Sequence, residues 1–297
     1  MRVDERLLCI VGPTASGKSA LALRLAESLG GEIVSADSMQ IYRGFDIGTG
    51  KATAEERALV PHHLLDVAEP LDTWDAARWA TEATALVEQI RARGRVPIVC
   101  GGSFLWVRAL IYGLAEAPRA DEELREQHRA FAAEHGRPAL HERLQQVDAP
   151  SAARLAPNDL VRVSRALEVF ELTGTPMSQL QAAHGFREAR YPARLVGVLR
   201  ARTELDELIA RRVRLMLDAG WLAEVASLRE RGFAEARAMG SVGYRQVSDA
   251  LASETPPAQP ALAEAIVRAT RVFARRQRTW LRDQPVEWLP ADATKLP

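Results

Sequence analysis

Residues 6–11, RLLCIV, form a short apolar run that stops at the glycine of GPTASGKS. A run of that length bounded by a turn signal predicts a strand buried on both faces. ALALRLAESL follows with leucine and alanine at helical spacing, so the chain opens as strand, loop, helix. GEIVSADS is a second short apolar run, after which the sequence stays polar to about residue 60. TWDAARWATEATALVEQIRARG has apolar positions at 76, 79, 83, 86, 87 and 90, with Thr73 as cap and Gly94 as stop, and predicts a helix. VPIVCGG then reads as a third buried strand. Strands alternating with helices give the α/β class, with a parallel, doubly wound sheet and helices on both faces.

The alternation ends near Pro118. Across 119–190 the pattern yields helices alone, in DEELREQHRAFAAEHG, RPALHERLQQV, NDLVRVSRALEVFELTG and PMSQLQAAHG. RLVGVLRA, 194–201, returns to the sheet, and helices follow at about 204–218, 221–231 and 240–251. After the link SETPPAQP a last helix runs over about 259–282, before a terminal strand VEWL. The predicted organisation is a core begun over 1–117, an all-helical insertion over 118–191, and the core completed over 192–297.

Composition narrows this picture. With 297 residues, 47% hydrophobic and 26% charged, the chain supports one substantial core plus a smaller unit, and disorder is not the default. No apolar stretch approaches the roughly 18 residues that span a bilayer, and the first ten residues carry acids where a signal peptide does not. A cytoplasmic protein is expected. Formal net charge is zero, so any basic surface must be local. Only Lys18, Lys51 and Lys295 of the 39 basic residues are lysine, so a bare count of arginines carries little weight. Cys9 and Cys100 each lie in an apolar run and are expected as small core residues of neighbouring strands, not as a disulfide or a zinc site.

The first loop carries chemistry. Gly12, Pro13, Thr14, Ala15, Ser16 and Gly17 form the turn, and Lys18 and Ser19 open the helix, in the pattern of a phosphate-binding loop (P-loop). Backbone N–H groups converge on phosphate oxygens at the positive end of the helix, Lys18 adds a charge, and the Ser19 hydroxyl is a ligand for magnesium. The loop recognises phosphates alone, and fits ATP hydrolysis, phosphoryl transfer, or a diphosphate used as a leaving group. Asp37 falls at the C-terminal end of the second strand, where open parallel sheets bind ligands; on position it is a magnesium ligand, a general base or an Asx turn. Ser103, behind paired glycines after the third strand, is a ligand contact or a helix N-cap.

VGPTASGKSALA, DSMQIYRGFDIGTGK, PHHLLD and RVPIVCGGSFLWVRAL, in this order, resemble the tRNA dimethylallyltransferases of bacteria, which prenylate the adenosine 3′ of the anticodon. NDLVRVSRALEVFELTG, RRVRLMLDAGWLAEV, SVGYRQ and ATRVFARRQRTWLR extend the likeness over about 7–290. The resemblance implies that the diphosphate of dimethylallyl diphosphate occupies the loop, with magnesium. It implies Asp37 as general base for the adenine amine, Ser103 at the reacting centre, and Arg212 on the diphosphate. Two departures stand out: Ser103 replaces the usual threonine but keeps its hydroxyl, and Trp106 replaces an aromatic hydroxyl and has no assigned role.

For tRNA, the resemblance places Asp37, Ser38, Met39, Gln40 and Ser103 at an extruded base, as base-modifying enzymes require. It also implies contacts from Arg125, from Val161, Arg162, Val163, Ser164 and Arg165, and from Gly240, Ser241, Val242 and Gly243. Tyr244 and Arg245 complete that segment as stacking and phosphate contacts. On physical grounds, the last helix has arginines at 268, 271, 275, 278 and 282, which stack along one side. Like charges at that spacing predict a phosphate track, with Arg271, Arg275 and Arg278 at its centre, the alternative being a solvated face widened by the arginine bias of the chain. A surface salt bridge with Asp159 or Glu168 is the alternative for the insertion arginines. The two histidines of PHHLLD are expected as structural. A monomer is expected, with no membrane partner. A P-loop small-molecule kinase, a prenyl transferase acting on free adenine nucleotides, and a tRNA-binding module without catalysis remain open at this point.

Overall fold

A computed structural model of the chain describes residues 6–293 and Leu296. In chain order the elements begin β1 (Leu7–Val11), α1 (Lys18–Leu29), β2 (Gly31–Ser35), α2 (Ala54–Leu59), β3 (His62–His63), α3 (Ala76–Ala92), β4 (Val96–Gly101) and α4 (Phe104–Tyr112). Five helices follow, α5 (Glu122–His135), α6 (Arg137–Val147), α7 (Ala149–Arg154), α8 (Leu160–Thr173) and α9 (Met177–His184). The chain then forms β5 (Ala193–Val198), α10 (Arg202–Asp218), α11 (Trp221–Glu230), α12 (Tyr244–Ala252), α13 (Gln259–Leu281) and β6 (Val286–Leu289). It divides into two compact units, Met1–Ile111 with Arg190–Pro297, and Tyr112–Ala189.

The larger unit holds a six-stranded sheet in the order β3-β2-β4-β1-β5-β6, parallel throughout. The apolar runs made this the expected arrangement: every residue of β1 and β2 is buried, which a strand flanked by helices on both faces requires. The path from β1 to β2 crosses the sheet in one direction and the path from β2 to β4 returns, so right-handed crossovers put α1 and α3 on opposite faces. Leu21, Ala22, Leu25 and Ala26 of α1 pack on Ile10, Ile33, Ile98 and Val196 of four adjacent strands. On α3, buried Trp79 donates its indole N–H to the Ser35 carbonyl at 2.9 Å. Trp106 of α4 stacks on Trp79 with ring centroids 5.3 Å apart, and so serves the core. Cys9 and Cys100 are free, buried and on paired strands, as expected, and burial pushes their thiols up to about 12 and about 11.

Three local features depart from the pattern reading. Helix α3 is capped by Asp75, whose carboxylate accepts from the Arg78 N–H at 2.8 Å, and not by Thr73, because the helix begins at Ala76, the first apolar position, two residues later than a Thr73 cap requires. The polar stretch before residue 60 contains α2, opened by a capping box between Thr53 and Glu56. PHHLLD supplies the edge strand β3, where His63 bonds Glu32 at 2.7 Å and His62 bonds the Val60 carbonyl at 2.7 Å.

The smaller unit is helical, α5 to α9, around Leu140, Leu144, Val163, Ala166 and Leu167. Fully buried Glu168 lies at its centre. It accepts from the Asp121 N–H at 2.6 Å and from Arg125 at 2.9 Å, and Arg165 pairs with it as well. Burial opposes the charge on Glu168, but these bonds outweigh it and hold the carboxyl below its ordinary value.

Candidate active site

The carboxyl ends of parallel strands point the same way, so the loops after β1, β2, β4 and β5 converge on one rim of the sheet. In the loop after β1, Ala15 and Gly17 both take positive φ, 63° and 96°. Only glycine adopts the second without strain, and the turn it allows delivers the chain to Lys18 at the first position of α1. At the last residue of β4, a Cβ on Gly101 would overlap the Ala36 carbonyl, so the glycine lets the ends of β2 and β4 close together. The Ser103 N–H then donates to the Ala36 carbonyl at 3.1 Å, and the Ser103 hydroxyl accepts from the Ser38 N–H at 2.9 Å. The Ser103 carbonyl begins α4 by accepting from Trp106 and Val107, while its side chain is used to hold the loop of Asp37 and not as a helix cap.

A cavity of about 480 Å³ opens at this rim. Thr14, Ala15, Gly17, Lys18 and Ser19 line it together with Asp37, Gln40 and Arg212. On α10, Leu208, Arg212 and Leu215 recur at helical spacing, so one helix face gives the cavity both a cation and an apolar wall. Ser19 and Asp37 offer hard oxygen ligands beside the loop, the donor set that suits magnesium held mainly by phosphate and water. Among the described residues no cluster of three or more His, Cys, Asp or Glu could hold a metal by protein ligands alone.

The charges here are balanced tightly. Burial lowers the Lys18 ammonium from its ordinary value, with the Asp37 charge opposing that shift and the Arg212 charge adding to it. Burial likewise lowers Arg212, again against Asp37. One Asp37 oxygen accepts from the Met39 N–H at 2.9 Å, so the Asx turn is present and fixes the carboxylate at the cavity wall. Arg212 donates to the Thr49 carbonyl at 3.0 Å, and Gln40 to the carbonyls of Thr49 and Gly50 at 3.3 and 3.2 Å. Both side chains thus hold the 46–50 loop as well as facing the cavity. Glu224 clamps that loop from outside, accepting from the N–H groups of Asp46, Ile47 and Gly48.

Several residues assigned to RNA by the resemblance lie elsewhere. Tyr244 is 1% exposed, packs on Phe45 and Trp221, and donates its hydroxyl to Glu224 at 2.5 Å. Its ring is unavailable for stacking on a base, because the amphipathic α12 turns it into the core. Gly243 is buried against Trp221 as well, whereas Gly240, Val242 and Arg245 are exposed and Ser241 half-buried. In α8, Val163 is 1% exposed and Ser164 bonds His128 at 2.9 Å, so both face the helical core, while Val161 and Arg162 face solvent. Arg125 and Arg165 are committed to fully buried Glu168, which makes these pairs internal and not surface salt bridges, while Arg162 lies 3.5 Å from Asp159 and stays exposed. The arginine stripe of α13 is present. Arg271, Arg275, Arg278 and Arg282 line one cleft of about 860 Å³ with Arg200 and Arg202, and Arg271 lies 3.5 Å from Asp206.

The sequence reading missed Arg200, which donates to the Ser16 carbonyl at 3.2 Å from the end of β5, and Gln277. The position of Arg200 at the carboxyl end of the predicted strand RLVGVLRA was the available signal.

A family model described as IPP transferase matches residues 40–284. A tRNA dimethylallyltransferase from Sorangium cellulosum is 60% identical over 95% of this chain and 90% of its own length. The chain belongs to the tRNA dimethylallyltransferase family. Among solved structures, the tRNA isopentenylpyrophosphate transferase of Bacillus halodurans is 37% identical, with a TM-score of 0.70 and coverage of 97% of this chain and 90% of that one. A eukaryotic dimethylallyltransferase described as acting on tRNA is 25% identical with a TM-score of 0.76, covering 97% and 74%. The dimethylallyltransferase likeness thus spans the sheet, the phosphate loop and the helical unit together. No helix among the described residues is long and apolar enough to cross a membrane.

Proposed function

We infer that this protein transfers a dimethylallyl group from dimethylallyl diphosphate to the exocyclic amine of the adenosine 3′ of the anticodon in tRNA. The observation that carries the reading is one cavity lined by a phosphate loop, a carboxylate and an arginine, with an apolar helix face beside them. The adenine amine is a poor nucleophile because its lone pair is delocalised into the ring. As its nitrogen bonds the allylic carbon, the carbon–oxygen bond to diphosphate breaks, and the amine proton passes to Asp37. Positive charge grows on the allyl group and negative charge on the leaving oxygens. Lys18, the N–H groups of Ala15 and Gly17, and Arg212 oppose the second of these.

Magnesium fits at Ser19, where it would neutralise diphosphate charge. Leu208 and Leu215 supply the apolar wall that suits a five-carbon tail. The exposed arginines of α13, with Arg162 and Arg245, supply the sequence-independent hold on the RNA backbone. The protein acts as a cytoplasmic monomer in this reading.

The test incubates purified protein with unmodified tRNA, magnesium and labelled dimethylallyl diphosphate. Label in RNA is the expected result. No label in RNA, with transfer to adenosine monophosphate or with ATP consumed against a small acceptor, overturns the reading.

A further inference from the structure

Gln277 interrupts a run of arginines on α13, and it is the residue of that run that turns inward, with 8% of its surface exposed. Its side chain touches two loops at once. The Gln277 carbonyl oxygen accepts from the Thr14 N–H at 2.8 Å, and its amide nitrogen donates to the Gly102 carbonyl at 3.0 Å. Thr14 belongs to the phosphate loop, and Gly102 precedes Ser103, which holds the Asp37 loop through Ser38. One partner is a donor and the other an acceptor, so only a side-chain amide of this length satisfies both. The same contact explains the second glycine of CGGS: a Cβ on Gly102 would overlap the Gln277 amide nitrogen.

We propose that Gln277 is a positioning residue that locks the phosphate loop against the Gly102–Ser103 turn, so that α13 sets the geometry with which diphosphate is gripped. The inference rests on the reading of the loop as a diphosphate site. Without the amide, the Thr14 N–H loses its partner and the loop is free to shift, taking its other N–H groups out of line with the phosphates. The arginines on the outer face of α13 continue to meet solvent unchanged.

The experiment measures binding of inorganic diphosphate with magnesium, steady-state kinetics and thermal midpoint in the full chain. Gln277→Glu keeps an acceptor for Thr14 but sets a carboxylate against the Gly102 carbonyl; Gln277→Met removes both bonds at similar volume. Both are expected to weaken diphosphate binding tenfold or more and to raise KM for the prenyl donor in parallel, with tRNA affinity within twofold of the parent. Gly102→Ala leaves Gln277 in place and displaces only its amide, and is expected to reproduce the loss in a protein that melts with the parent. Diphosphate affinity within twofold of the parent in Gly102→Ala or in either folded Gln277 variant overturns the proposal. If the parent transfers no label to tRNA yet binds diphosphate in a Gln277-dependent way, the transferase reading fails and this inference stands.

Discussion

The Ser38 N–H donates to the Ser103 hydroxyl across 2.9 Å, tying the loop after β2 to the turn after β4. The hydroxyl is the smallest group that closes this link, and Asp37 is the residue next to it in the chain. Ser103→Ala leaves a half-buried N–H without its partner at a cost of about 1 kcal/mol. It is expected to lower kcat about tenfold through a displaced Asp37, equivalent to ~1.4 kcal/mol in the barrier. Ser103→Thr keeps the oxygen and is expected to stay within threefold of the parent. Single-turnover label transfer distinguishes the two variants.

Gly50 has φ 59°, and a Cβ there would overlap the Arg212 guanidinium. Gly50→Ala therefore strains the backbone by about 1 kcal/mol and displaces Arg212 without altering its charge. KM for the prenyl donor is expected to rise about tenfold while tRNA affinity holds. A donor KM equal to the parent's would show that Arg212 does not reach the diphosphate.

Tyr244 packs in the core and donates to Glu224, whose carboxylate also holds three N–H groups of the 46–48 loop. Burial, with the Glu224 charge, raises the phenol well above its ordinary value, so it remains a donor at any working pH. Tyr244→Phe is expected to lower stability by about 1.5 kcal/mol and leave tRNA affinity unchanged. Exposed Arg245 behaves in the opposite way: Arg245→Ala is expected to weaken tRNA binding and to flatten its salt dependence by about one unit of slope, with no change in melting. Urea melts and filter binding at several salt concentrations read both.

Glu168 has a folded value below the unfolded one, which is near 4.3. Below that unfolded value the unfolded chain binds the extra proton, so the stability Glu168 contributes is present above about pH 4.3 and is lost as pH falls through its folded value. Glu168→Gln is expected to cost about 3 kcal/mol at pH 7, because Arg125 and Arg165 lose their shared charge, and to weaken the acid dependence of stability. Urea midpoints at pH 7 and pH 3.5 for parent and variant test the sign.

The sheet and its rim were legible because burial on both faces leaves continuous apolar runs, as in LLCIV and VPIVC, and the phosphate loop has a fixed spacing. Lys18 and Ser19 were legible from that spacing, Asp37 from its place after a strand and Arg212 through the family resemblance alone, and the four line one cavity. What escaped notice were contacts between residues far apart in the chain. Gln277 looks like one more polar residue in a basic helix until the fold brings it to Thr14. Tyr244 and Val163 looked accessible because a motif records which residues occur together and says nothing about which way a helix turns them. The 51–66 stretch reads as a loop because its order comes from buried Lys51 bonding Asp46 and Asp66, and local periodicity carries no trace of such a network.

Strand β1 sits between β4 and β5, and its register pairs Leu7 with Ala193. During synthesis one edge of this wholly apolar strand must therefore wait until the helical unit, Tyr112–Ala189, has been made. At ribosomal speeds that interval is roughly 4–16 s, long compared with the folding of a small helical unit. The nascent chain accordingly passes through a stage in which the insertion is complete and the catalytic sheet is not. In that interval the bare edge of β1 is where chaperones, or a neighbouring chain, would bind first.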